Sequence, residues 1–323
     1  MSERVTIVGT GQMAVMCATM LCDNGHEVWL VGRESAVKQM WETRTSPQMP
    51  DVVLPDGCGV TMTVGPTDLI VSAVPTQVLS QALRLFDDGF KVPVVSCSKG
   101  IDIETGLRPS QTAANSIPAA TSLAALSGPN IASEVVARKP AGAVVACEDR
   151  EVAERVRAAF TTDYFRVYTN DDVVGVELAG ATKNVIALAA GVVDGLGLGN
   201  NAKASLITRG LVEITRLGVA MGAKAETFAG LAGMGDLMTT CFSPEGRNRR
   251  VGEMIGQGKS TDDALASLGS VCEGVPTTKA VVQLAQQHSV DMPIAKAVHS
   301  ILFDGANVRD VLVSLMTREP KAE

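Results

Sequence analysis

Residues 5–14, VTIVGTGQMA, place a short apolar, β-rich run directly before two closely spaced glycines. Gly9, Gly11 and Ala14 form the pattern G-x-G-x-x-A, which here follows a predicted strand and opens a predicted helix. In such a turn the first glycine permits the tight bend, the second lets a pyrophosphate approach the backbone, and the alanine keeps the helix close to its strand. The segment therefore predicts a dinucleotide-binding turn, although an ordinary glycine turn could also contain these residues.

Short β-rich runs alternate with helical stretches through the first half of the chain. Several runs are apolar throughout, as expected for parallel strands that are covered on both faces. The alternation predicts an α/β domain with a doubly wound, Rossmann-like parallel sheet. The predicted strands are 5–8, 28–31, 69–73, 92–96, 123–127, 141–146 and 164–168, and the predicted helices are 13–24, 76–86, 131–138 and 151–160.

The strand signal stops near residue 170, and the remaining sequence is typical of helices. We therefore predict a dinucleotide-binding domain over 1–170 and an all-α, substrate-binding and catalytic domain over 171–323, with ligands at their junction. Asn170, Asp171 and Asp172 provide oxygen atoms suited to capping the first helix of the second domain. The predicted helices are 172–193, 202–221, 224–231, 247–256, 260–268, 276–288, 293–302 and 307–316.

The composition excludes several classes of protein. Hydrophobic residues make up 46% of the 323 residues and charged residues 20%, which is enough for a substantial core and argues against disorder. Aromatic residues, which stack on unpaired bases, make up only 3%, and the formal net charge is -7. We therefore expect no nucleic-acid partner.

Cysteine usage and apolar stretches bear on where the protein works. The seven cysteines are odd in number and never form C-x-x-C, as expected of buried thiols in a reducing compartment, and we expect no metal site. The N-terminus has no signal-peptide pattern, which predicts a cytoplasmic protein. The most apolar long stretch, 173–193, contains Glu177, Lys183 and Asn184, so we predict a buried helix there and no membrane span.

Arg33 and Glu34 follow the second predicted strand, where an acidic residue would bind a ribose hydroxyl of NAD. An arginine at this position can instead pair with the 2′-phosphate of NADP. The sequence therefore favours NADPH, while Glu34 keeps NADH open and a solvated charge remains an alternative for Arg33.

Residues 180–201, GATKNVIALAAGVVDGLGLGNN, hold Lys183 among glycines, alanines and aliphatic side chains. A lysine amine with apolar neighbours loses its proton more readily than one in water, which suits a general acid or base near neutral pH. A lysine in an apolar helix also commonly extends its amine to water. Both interpretations stay open from this stretch alone.

Further polar groups fall in predicted loops. Lys99 and Asn130 follow predicted strands, at the sheet edge where a doubly wound fold binds its ligands. Asn130 is also suited to capping the next helix, and so is Asp236 after the glycine-rich run 231–235. Three arginines within 247–250 offer a fork of donors suited to phosphate, although a solvated loop would also carry them.

Taken together, several long motifs resemble the NAD(P)-dependent glycerol-3-phosphate dehydrogenase family over nearly the whole chain. The resemblance implies a homodimer that reversibly reduces dihydroxyacetone phosphate, a phosphorylated triose, to sn-glycerol 3-phosphate with NADPH or NADH. It implies a role in supplying glycerol phosphate for phospholipids. The matching segments are VSCSKGI at 95–101, LSGPNIASEV at 126–135, ELAGATKNVIALAAGVVDGLGLGNNAKASLITRGLVEITRLG at 177–218, LAGMGDLMTTC at 231–241, GRNRRVG at 246–252 and VCEGVPT at 271–277.

The resemblance also implies roles for individual residues. Lys183 would be the catalytic proton donor and acceptor, with Lys99 and Asp236 beside the substrate. The residues expected at the cofactor are Gly9, Gly11, Gln12, Met13, Arg33, Lys99, Ala132, Arg247, Val271 and Glu273. Those expected at the substrate are Lys99, Gly128, Asn130, Lys183, Asp236, Thr240, Gly246, Arg247 and Asn248, with Arg247 and Asn248 on its phosphate.

Two segments depart from the pattern of that family. The first turn has Gln12, Met13 and Ala14 where serine, an aromatic residue and glycine are usual, so we expect different packing on the nicotinamide side. Gly246 stands where serine is usual, and residues 243–245 alter the loop ahead of Arg247. The second departure bears on how a phosphate would be held.

Two other functions are consistent with parts of the sequence. A β-hydroxyacid dehydrogenase or a pyrroline-carboxylate reductase also opens with G-x-G-x-M followed by glycine or alanine, but its substrate carries a carboxylate and no phosphate. The Arg247 loop and the Asp236 motif disfavour that alternative. A non-catalytic dinucleotide sensor is the other alternative, and the presence of Lys99, Lys183, Asp236 and Arg247 together disfavours it.

Overall fold

The computed structural model describes residues 2–86 and 89–319. Residue contacts divide the chain into a first unit, Met1–Lys99 with Leu107–Glu177, and a second unit, Gly100–Gly106 with Leu178–Glu323. The predicted domain limits at residues 1 and 323 lie outside the described residues. The predicted boundary between residues 170 and 171 stays a prediction.

The first unit is built on a mostly parallel sheet. Its strands are β1 Arg4–Val8, β2 Glu27–Val31, β3 Thr45–Ser46, β4 Met49–Val53, β5 Cys58–Thr61, β6 Leu69–Ser72, β7 Val94–Ser96, β8 Leu123–Ser127, β9 Ala141–Cys147 and β10 Phe165–Asn170. The large sheet has the order β10-β9-β8-β7-β6-β1-β2-β5, and β3 pairs with β4 in a separate antiparallel hairpin. The doubly wound α/β class predicted for this part of the chain is confirmed. The hairpin and β5 were not predicted.

Helices cover both faces of the large sheet. They are α1 Gln12–Asp23, α2 Glu34–Thr43, α3 Leu79–Leu83, α4 Pro109–Ser116, α5 Ala132–Val136 and α6 Arg150–Phe160. The prediction of one continuous helix over 76–86 is wrong, because a 3₁₀ turn over Thr76–Val78 precedes the short α3. Val78, the last residue of that turn, has φ -114° and ψ 4°, outside the α region, so the α-helix begins only after it. The helices α2 and α4 were not predicted.

The strands β9 and β10 run antiparallel to the rest of the sheet, which is otherwise parallel. β8 pairs antiparallel with β9, and β9 pairs in parallel with β10. Only the five-residue α5 lies between β8 and β9. Because a helix of that length rises about 7 Å and a five-residue strand spans about 16 Å, α5 does not return the chain to the start of β8.

The core of the first unit lies on both faces of the sheet. Val5 and Ile7 of β1 join the apolar cluster that includes residues of α1 and α6, whereas Val8 joins the cluster under α3 and α4. The same alternation occurs in β6, where Ile70 packs on the face opposite Leu69. Successive side chains of a strand point to opposite faces, so a strand buried on both is apolar throughout.

The second unit is helical, as predicted. The helices are α7 Val173–Gly195, whose first five residues belong to the first unit, α8 Gly199–Ala220, α9 Ala225–Ala229, α10 Asp236–Phe242, α11 Arg247–Gly256, α12 Thr261–Leu268, α13 Gly274–Gln287, α14 Pro293–Phe303 and α15 Val308–Met316. A π-helical turn, Leu231–Gly235, joins α9 to α10. The π-helical turn and α10 were not predicted, and the predicted helix 224–231 is the shorter α9.

The start and the burial of α7 agree with the sequence. Asp172 Oδ1 accepts a hydrogen bond of 2.8 Å from the backbone N–H of Gly175, so the predicted cap is confirmed. Among the described residues, α7 is the helix long and apolar enough to cross a membrane. Within the structure, 89% of its most apolar window is buried, as the prediction of a buried helix requires.

Glycines bring α7 and α11 into direct backbone contact. A Cβ atom on Gly191 of α7 would lie only 1.9 Å from the carbonyl oxygen of Arg249, and a Cβ atom on Gly252 of α11 only 2.0 Å from that of Leu188. The next turn of each helix repeats this close approach, at Gly195 and at Gly256. A Gly-x-x-x-Gly pattern on both helices therefore removes the side chains that would keep the two backbones apart.

We expect Gly191→Ala to destabilise the second unit. The gain in helix propensity is about 1 kcal/mol, but the added methyl group meets a backbone oxygen that no rotamer change can move, and overpacking of a core costs about 1–3 kcal/mol or more. Thermal and denaturant unfolding should therefore show a less stable protein. Gly65→Ala is the control, since a Cβ atom there meets no atom within 4 Å. Equal stability of the two variants would contradict the close packing of α7 and α11.

Candidate active site

The glycine turn after β1 has the geometry that an incoming pyrophosphate needs. Gly9 has φ +127°, which favours glycine, and a Cβ atom there would lie 2.7 Å from the carbonyl oxygen of Ala73. Gly11 occupies the N-cap position of α1, where no side chain accepts a hydrogen bond from the first turn. That first turn also contains no acidic residue. The N–H groups at the start of α1 can therefore bind an anion, and the residues present fit a dinucleotide.

The β3–β4 hairpin supports this turn. Ser46 Oγ donates a hydrogen bond of 2.6 Å to the carbonyl oxygen of Thr10, between the two glycines. Gln12 is exposed, and its Nε2 atom donates to the carbonyl oxygen of Gln48 at 3.3 Å. The hairpin has weak sequence signals because its first strand has only two residues and its second is mostly solvent-exposed. It nevertheless fixes the conformation of Thr10 and the side chain of Gln12.

Met13 and Ala132, two other positions expected at the cofactor, lie in the first turns of α1 and α5. Both side chains are half-buried and pack against the apolar cluster on that face of the sheet. Met13 therefore has a packing role of its own at the position where the family usually has an aromatic residue. A different contact with a bound nicotinamide stays a prediction.

Arg33 is exposed at the N-terminus of α2, two residues after the end of β2. The adjacent Glu34 forms an ion pair of 2.6 Å with Lys38, one turn further along the same helix. The carboxylate that could bind a ribose hydroxyl thus already has a cationic partner. The guanidinium of Arg33 forms no ion pair with any residue in the described ranges.

Lys99, Gly128 and Asn130 lie in the loops that follow β7 and β8. Lys99 Nζ donates to the carbonyl oxygen of Gly128 at 2.9 Å, and Asn130 Nδ2 donates to that of Gly142 at 3.2 Å. Gly128 has φ +155°, and a Cβ atom there would lie 2.8 Å from the Gly142 oxygen. The N-cap of α5 is Ile131, so the alternative that Asn130 caps this helix is wrong. Its amide instead joins the loop after β8 to the start of β9.

In the second unit, α7 and α10 bring Lys183 and Asp236 together. Lys183 Nζ donates hydrogen bonds to Asp236 Oδ1 and, at 2.8 Å, to Thr240 Oγ1. The Lys183 side chain is 7% exposed and that of Asp236 only 3%, so this is a buried ion pair. The alternative in which the lysine amine extends into water is therefore wrong. Asp236 is the first residue of α10, the N-cap is Gly235, and the carboxylate serves the amine.

The π-helical turn sets the position of Asp236. Gly233 lies so close to α9 that a Cβ atom would come within 2.1 Å of the carbonyl oxygen of Phe228. The Phe228 ring is fully buried, and a Cβ atom on Gly218 of α8 would lie 2.1 Å from it. Gly233 therefore packs against the backbone of Phe228, and Gly218 packs against its ring. Such π-helical turns are often found at functional sites.

A second hydrogen-bond network joins α7, α11 and α13. Asn248 Nδ2 donates to Asn184 Oδ1 at 2.8 Å. Asn248 Oδ1 accepts from the Gly274 N–H at 2.9 Å and from Cys272 Sγ at 3.0 Å. All four residues are buried. The network fixes the side chain of Asn184, the residue that follows Lys183 in α7. The sequence did not reveal this structural role of Asn184.

The remaining predicted residues lie near the N-termini of α11 and α13. Arg247 is the first residue of α11 and is exposed, whereas Gly246 at the N-cap has little free space: a Cβ atom would lie 2.9 Å from the carbonyl oxygen of Thr240. Val271 is 52% exposed, and Glu273 occupies the N-cap of α13. The departure from serine at position 246 thus coincides with a tight turn.

A group of charged side chains that the sequence analysis missed lies behind the start of α11. Asp194 accepts hydrogen bonds from Lys203 Nζ at 2.7 and 3.0 Å and from Arg249 Nη1 at 2.7 Å. Arg249 Nη2 also pairs with Glu253 at 3.1 Å. We call Asp194, Lys203, Arg249 and Glu253 the Asp194 cluster. Partial burial alone would raise the pKa of Asp194, but the hydrogen bonds from Lys203 and Arg249 outweigh it and lower that pKa. Asp194, Lys203 and Arg249 lie 9 and 46 positions apart along the chain, which left no local signal.

The two thiols nearest these groups in the sequence stay protonated at neutral pH. Burial raises the pKa of Cys241 to about 12 and that of Cys272 to about 11. A protonated thiol is consistent with the hydrogen bond that Cys272 donates to Asn248. Neither cysteine therefore provides a thiolate nucleophile.

Comparison with known proteins agrees with this arrangement. The family model described as the NAD-dependent glycerol-3-phosphate dehydrogenase N-terminus matches residues 4–153, and the model for the C-terminus matches residues 172–313. The chain belongs to this family. The resemblance predicted from the sequence motifs is confirmed.

Individual relatives match over their full length. The chain is 45% identical to a glycerol-3-phosphate dehydrogenase (NAD(P)+) of Geobacillus thermodenitrificans, covering 99% of this chain and 96% of the relative. It is 43% identical to an enzyme of the same name from a Geobacter species, covering 100% and 99%. The crystal structure of a glycerol-3-phosphate dehydrogenase from Coxiella burnetii is similar with a TM-score of 0.93 at 32% identity, covering 98% and 99%.

We expect Asp194→Asn to lower stability in a pH-dependent way. Because the folded-state pKa of Asp194 is lowered, its stabilising effect is present above the ordinary carboxyl pKa and is lost as the pH falls through the folded value. Removing the charge leaves Lys203 and Arg249 without their shared partner, which should cost about 2–3 kcal/mol at pH 7. Denaturant unfolding of the wild type and the variant should show this difference at pH 7, and the difference should shrink as the pH falls below the ordinary carboxyl pKa. The control is Asp56→Asn at an exposed position, for which we expect no such difference.

Proposed function

We infer that the protein reversibly reduces dihydroxyacetone phosphate to sn-glycerol 3-phosphate with NAD(P)H. The observation that carries this inference is the buried pair of Lys183 and Asp236, completed by Thr240, in a chain whose two halves match the two family models. A buried ammonium group held by a carboxylate can donate its own proton, so no proton donor from the solvent is needed. Carbonyl reduction requires such a donor.

Lys183 is proposed as the proton donor to the substrate oxygen. When bound, NAD(P)H supplies the hydride that carbon C2 of the substrate receives. As the C2–O double bond becomes a single bond, its electron pair moves to the oxygen, and Lys183 Nζ gives that oxygen a proton. Asp236 holds the ammonium in place before transfer, and Thr240 gives the amine a second fixed direction. In the reverse reaction the neutral amine removes the proton from the hydroxyl group.

Arg247, Asn248 and the N-terminus of α11 are proposed to bind the substrate phosphate. The first turn of α11 contains no acidic residue, and Gly246 at its N-cap has no side chain to occupy the N–H groups. Arg247 adds an exposed guanidinium, which is suited to phosphate oxygens. Within the described ranges, Asn184 is the acceptor for Asn248 Nδ2, which leaves one N–H of that amide for the phosphate. Binding the phosphate would fix the distant carbonyl group for reaction.

Lys99, Gly128 and Asn130 are proposed to lie at the substrate, as the family resemblance implies. The amine of Lys99 is half-buried, and the Gly128 carbonyl holds it in the loop after β7. A cation at this position would stabilise the developing negative charge on the substrate oxygen. Asn130 would act through the conformation of the loop after β8.

The residues proposed at the cofactor are those that the resemblance to the family implies. Gly9, Gly11, Gln12, Met13, Lys99 and Ala132 are proposed on the first unit, and Arg247, Val271 and Glu273 on the second. The ion pair between Glu34 and Lys38 supports a preference for NADPH, because it leaves Arg33 as the available charge beside a ribose 2′-phosphate. Both NAD and NADP remain cofactors of the family.

Three further properties are proposed with the activity. The reaction would supply glycerol phosphate for phospholipid synthesis. A cytoplasmic location is supported by the cysteines, all of which are free thiols. A homodimer is supported by α15, all of whose residues are described: it has no buried residue, and Val313 and Met316 are 58% and 77% exposed.

A spectrophotometric assay at 340 nm tests the proposed function. The purified protein should oxidise NADPH and NADH with dihydroxyacetone phosphate and should form NAD(P)H from sn-glycerol 3-phosphate. Hydroxyisobutyrate semialdehyde and pyrroline-5-carboxylate are the competing substrates. Turnover with those two alone would assign the chain to another class of reductase, and tight NADPH binding without any turnover would identify a sensor.

We expect Lys183→Ala to lower kcat by at least about 100-fold, because general acid catalysis contributes about 10²–10⁴ to a rate. The dissociation constant for NADPH should change little, since the amine acts in the chemical step. Lys183→Arg keeps a cation beside Asp236 and therefore keeps the ion pair, but a guanidinium does not release its proton, so it should be nearly as inactive. Lys139→Ala at an exposed position is the control. Wild-type turnover in Lys183→Arg would exclude the proposed role.

We expect Arg33→Ala to weaken NADPH binding by about tenfold or more and NADH binding by much less, because a charge-assisted hydrogen bond contributes about 1.5–3 kcal/mol. Fluorescence titration of both cofactors measures the two dissociation constants. Lys139→Ala, which removes a positive charge at an exposed position outside the proposed cofactor residues, is the control and should not discriminate between the cofactors. An equal loss of both cofactors in Arg33→Ala would mean that Arg33 does not contact the 2′-phosphate.

A further inference from the structure

Arg249 uses all three of its guanidinium nitrogens on separate acceptors. Nε donates to the carbonyl oxygen of Ser243 at 3.0 Å, Nη1 to Asp194 at 2.7 Å, and Nη2 pairs with Glu253 at 3.1 Å. The side chain is 12% exposed. Arg247 and Arg250, its neighbours among the three arginines, are both exposed. The three arginines therefore have different environments, and only the side chain of Arg249 is both largely buried and held by the contacts described above.

Asp194 is itself fixed, so it can hold Arg249 in one orientation. Lys203 Nζ binds both carboxylate oxygens of Asp194, and its side chain is only 8% exposed. The same ammonium group lies 4.7 Å from the centre of the Phe242 ring at the end of α10. The Asp194 cluster thus joins the end of α7, the first turns of α8 and the first turns of α11.

The acceptor of Arg249 Nε lies in the turn that precedes Arg247. The Ser243 carbonyl oxygen also accepts a hydrogen bond of 3.1 Å from the Gly246 N–H, which closes this turn. Gly246 has little free space, because a Cβ atom would lie 2.9 Å from the carbonyl oxygen of Thr240. The Ser243 carbonyl oxygen thus accepts from two donors, and the N-cap at Gly246 is tightly packed. Together these contacts determine the position of Arg247 at the start of α11.

We propose that Arg249 is a positioning residue for the phosphate of the substrate, acting through the Ser243–Gly246 turn on Arg247 and the first N–H groups of α11. This proposal rests on the proposed function, because it needs a phosphorylated substrate. Arg249 is assigned an indirect role because its three nitrogens are directed at Ser243, Asp194 and Glu253 and its side chain is only 12% exposed. It keeps the turn in the one conformation that presents Arg247 to the ligand. Such positioning should affect phosphate affinity and leave proton transfer by Lys183 unchanged.

Steady-state kinetics of Arg249→Leu, with leucine replacing the arginine stem, is the first test. We expect KM for dihydroxyacetone phosphate to rise about tenfold with kcat within about twofold of wild type, the pattern of lost ground-state binding. Inorganic phosphate should compete with the substrate as an inhibitor, and its inhibition constant should rise by a similar factor. The dissociation constant for NADPH should stay the same. Circular dichroism and a thermal unfolding curve establish that the variant is folded at the assay temperature.

Two matched variants separate positioning from charge. Arg250→Leu removes a positive charge from the next, exposed residue and should leave KM and phosphate inhibition near wild type. Arg249→Lys keeps the charge, but a single ammonium group does not reproduce three donors in a planar fork, so KM should remain raised. Arg250→Leu with the same KM increase, or Arg249→Lys with wild-type KM, would show an effect of charge alone and would overturn the proposal.

A double-mutant cycle identifies the residue through which Arg249 acts. In an Arg247→Ala background, Arg249→Leu should raise KM by less than about twofold, since the group that it positions is gone. A full tenfold increase in that background would mean that Arg249 affects the substrate independently, which would overturn the proposal. Unphosphorylated dihydroxyacetone provides a further readout, because its slow reduction should be the same in wild type and Arg249→Leu.

The outcomes distinguish this proposal from the proposed function. A wild-type protein that does not turn over dihydroxyacetone phosphate would refute the proposed function, whatever the variants do. An active wild type whose KM and phosphate inhibition are unchanged in Arg249→Leu would leave that function intact and refute the role of Arg249.

Discussion

The close approach of α7 and α11 is possible because glycine stands on both sides of the contact. With Gly191 and Gly252 against the opposing carbonyl groups, the two backbones meet where side chains would otherwise separate them. This contact places the first turn of α11, with Arg247 and Asn248, along the helix that carries Lys183 and Asn184. The hydrogen bond between Asn184 and Asn248 is a direct consequence, since amides of that length meet only when the helix axes are close. The residues proposed for phosphate recognition and for proton transfer therefore share one rigid contact.

Much of the fold could be predicted because burial on two faces leaves a strong pattern. The strands β1, β6 and β8 are buried at nearly every position and mostly apolar, and the long α7 is apolar except for a few residues such as Glu177, Lys183 and Asp194. The direction of β9 could not be predicted, because an apolar run has the same composition in either orientation. The β3–β4 hairpin and α10 were missed since a two-residue strand and a seven-residue helix show too few turns of periodicity.

Residues of the candidate site could be predicted only where they belong to a motif that is local in the sequence. The glycine turn at Gly9 and Gly11, Lys183 in its apolar helix and the arginines after Gly246 are all visible within a few residues of sequence. Asp236 was marked by the glycines before it, yet its pairing with Lys183 joins positions 53 apart. The Asp194 cluster joins three helices and leaves no pattern, because an aspartate after a glycine-rich helix and a lysine in the next helix are common on surfaces.

The joint burial of Lys183 and Asp236 is better explained by a functional role of the pair than by stability. Two charges removed from water are rarely more stabilising than an apolar pair of the same volume, so stability alone gives little reason for this arrangement. The surroundings are costly too, because Gly233 and Gly235 in the π-helical turn are poor helix formers that stabilise little by themselves. What the arrangement achieves is a proton held in one direction, by a carboxylate and a hydroxyl group that both belong to α10. A single short helix thus orients the amine of Lys183, and any displacement of that helix would change the direction of the proposed proton donor.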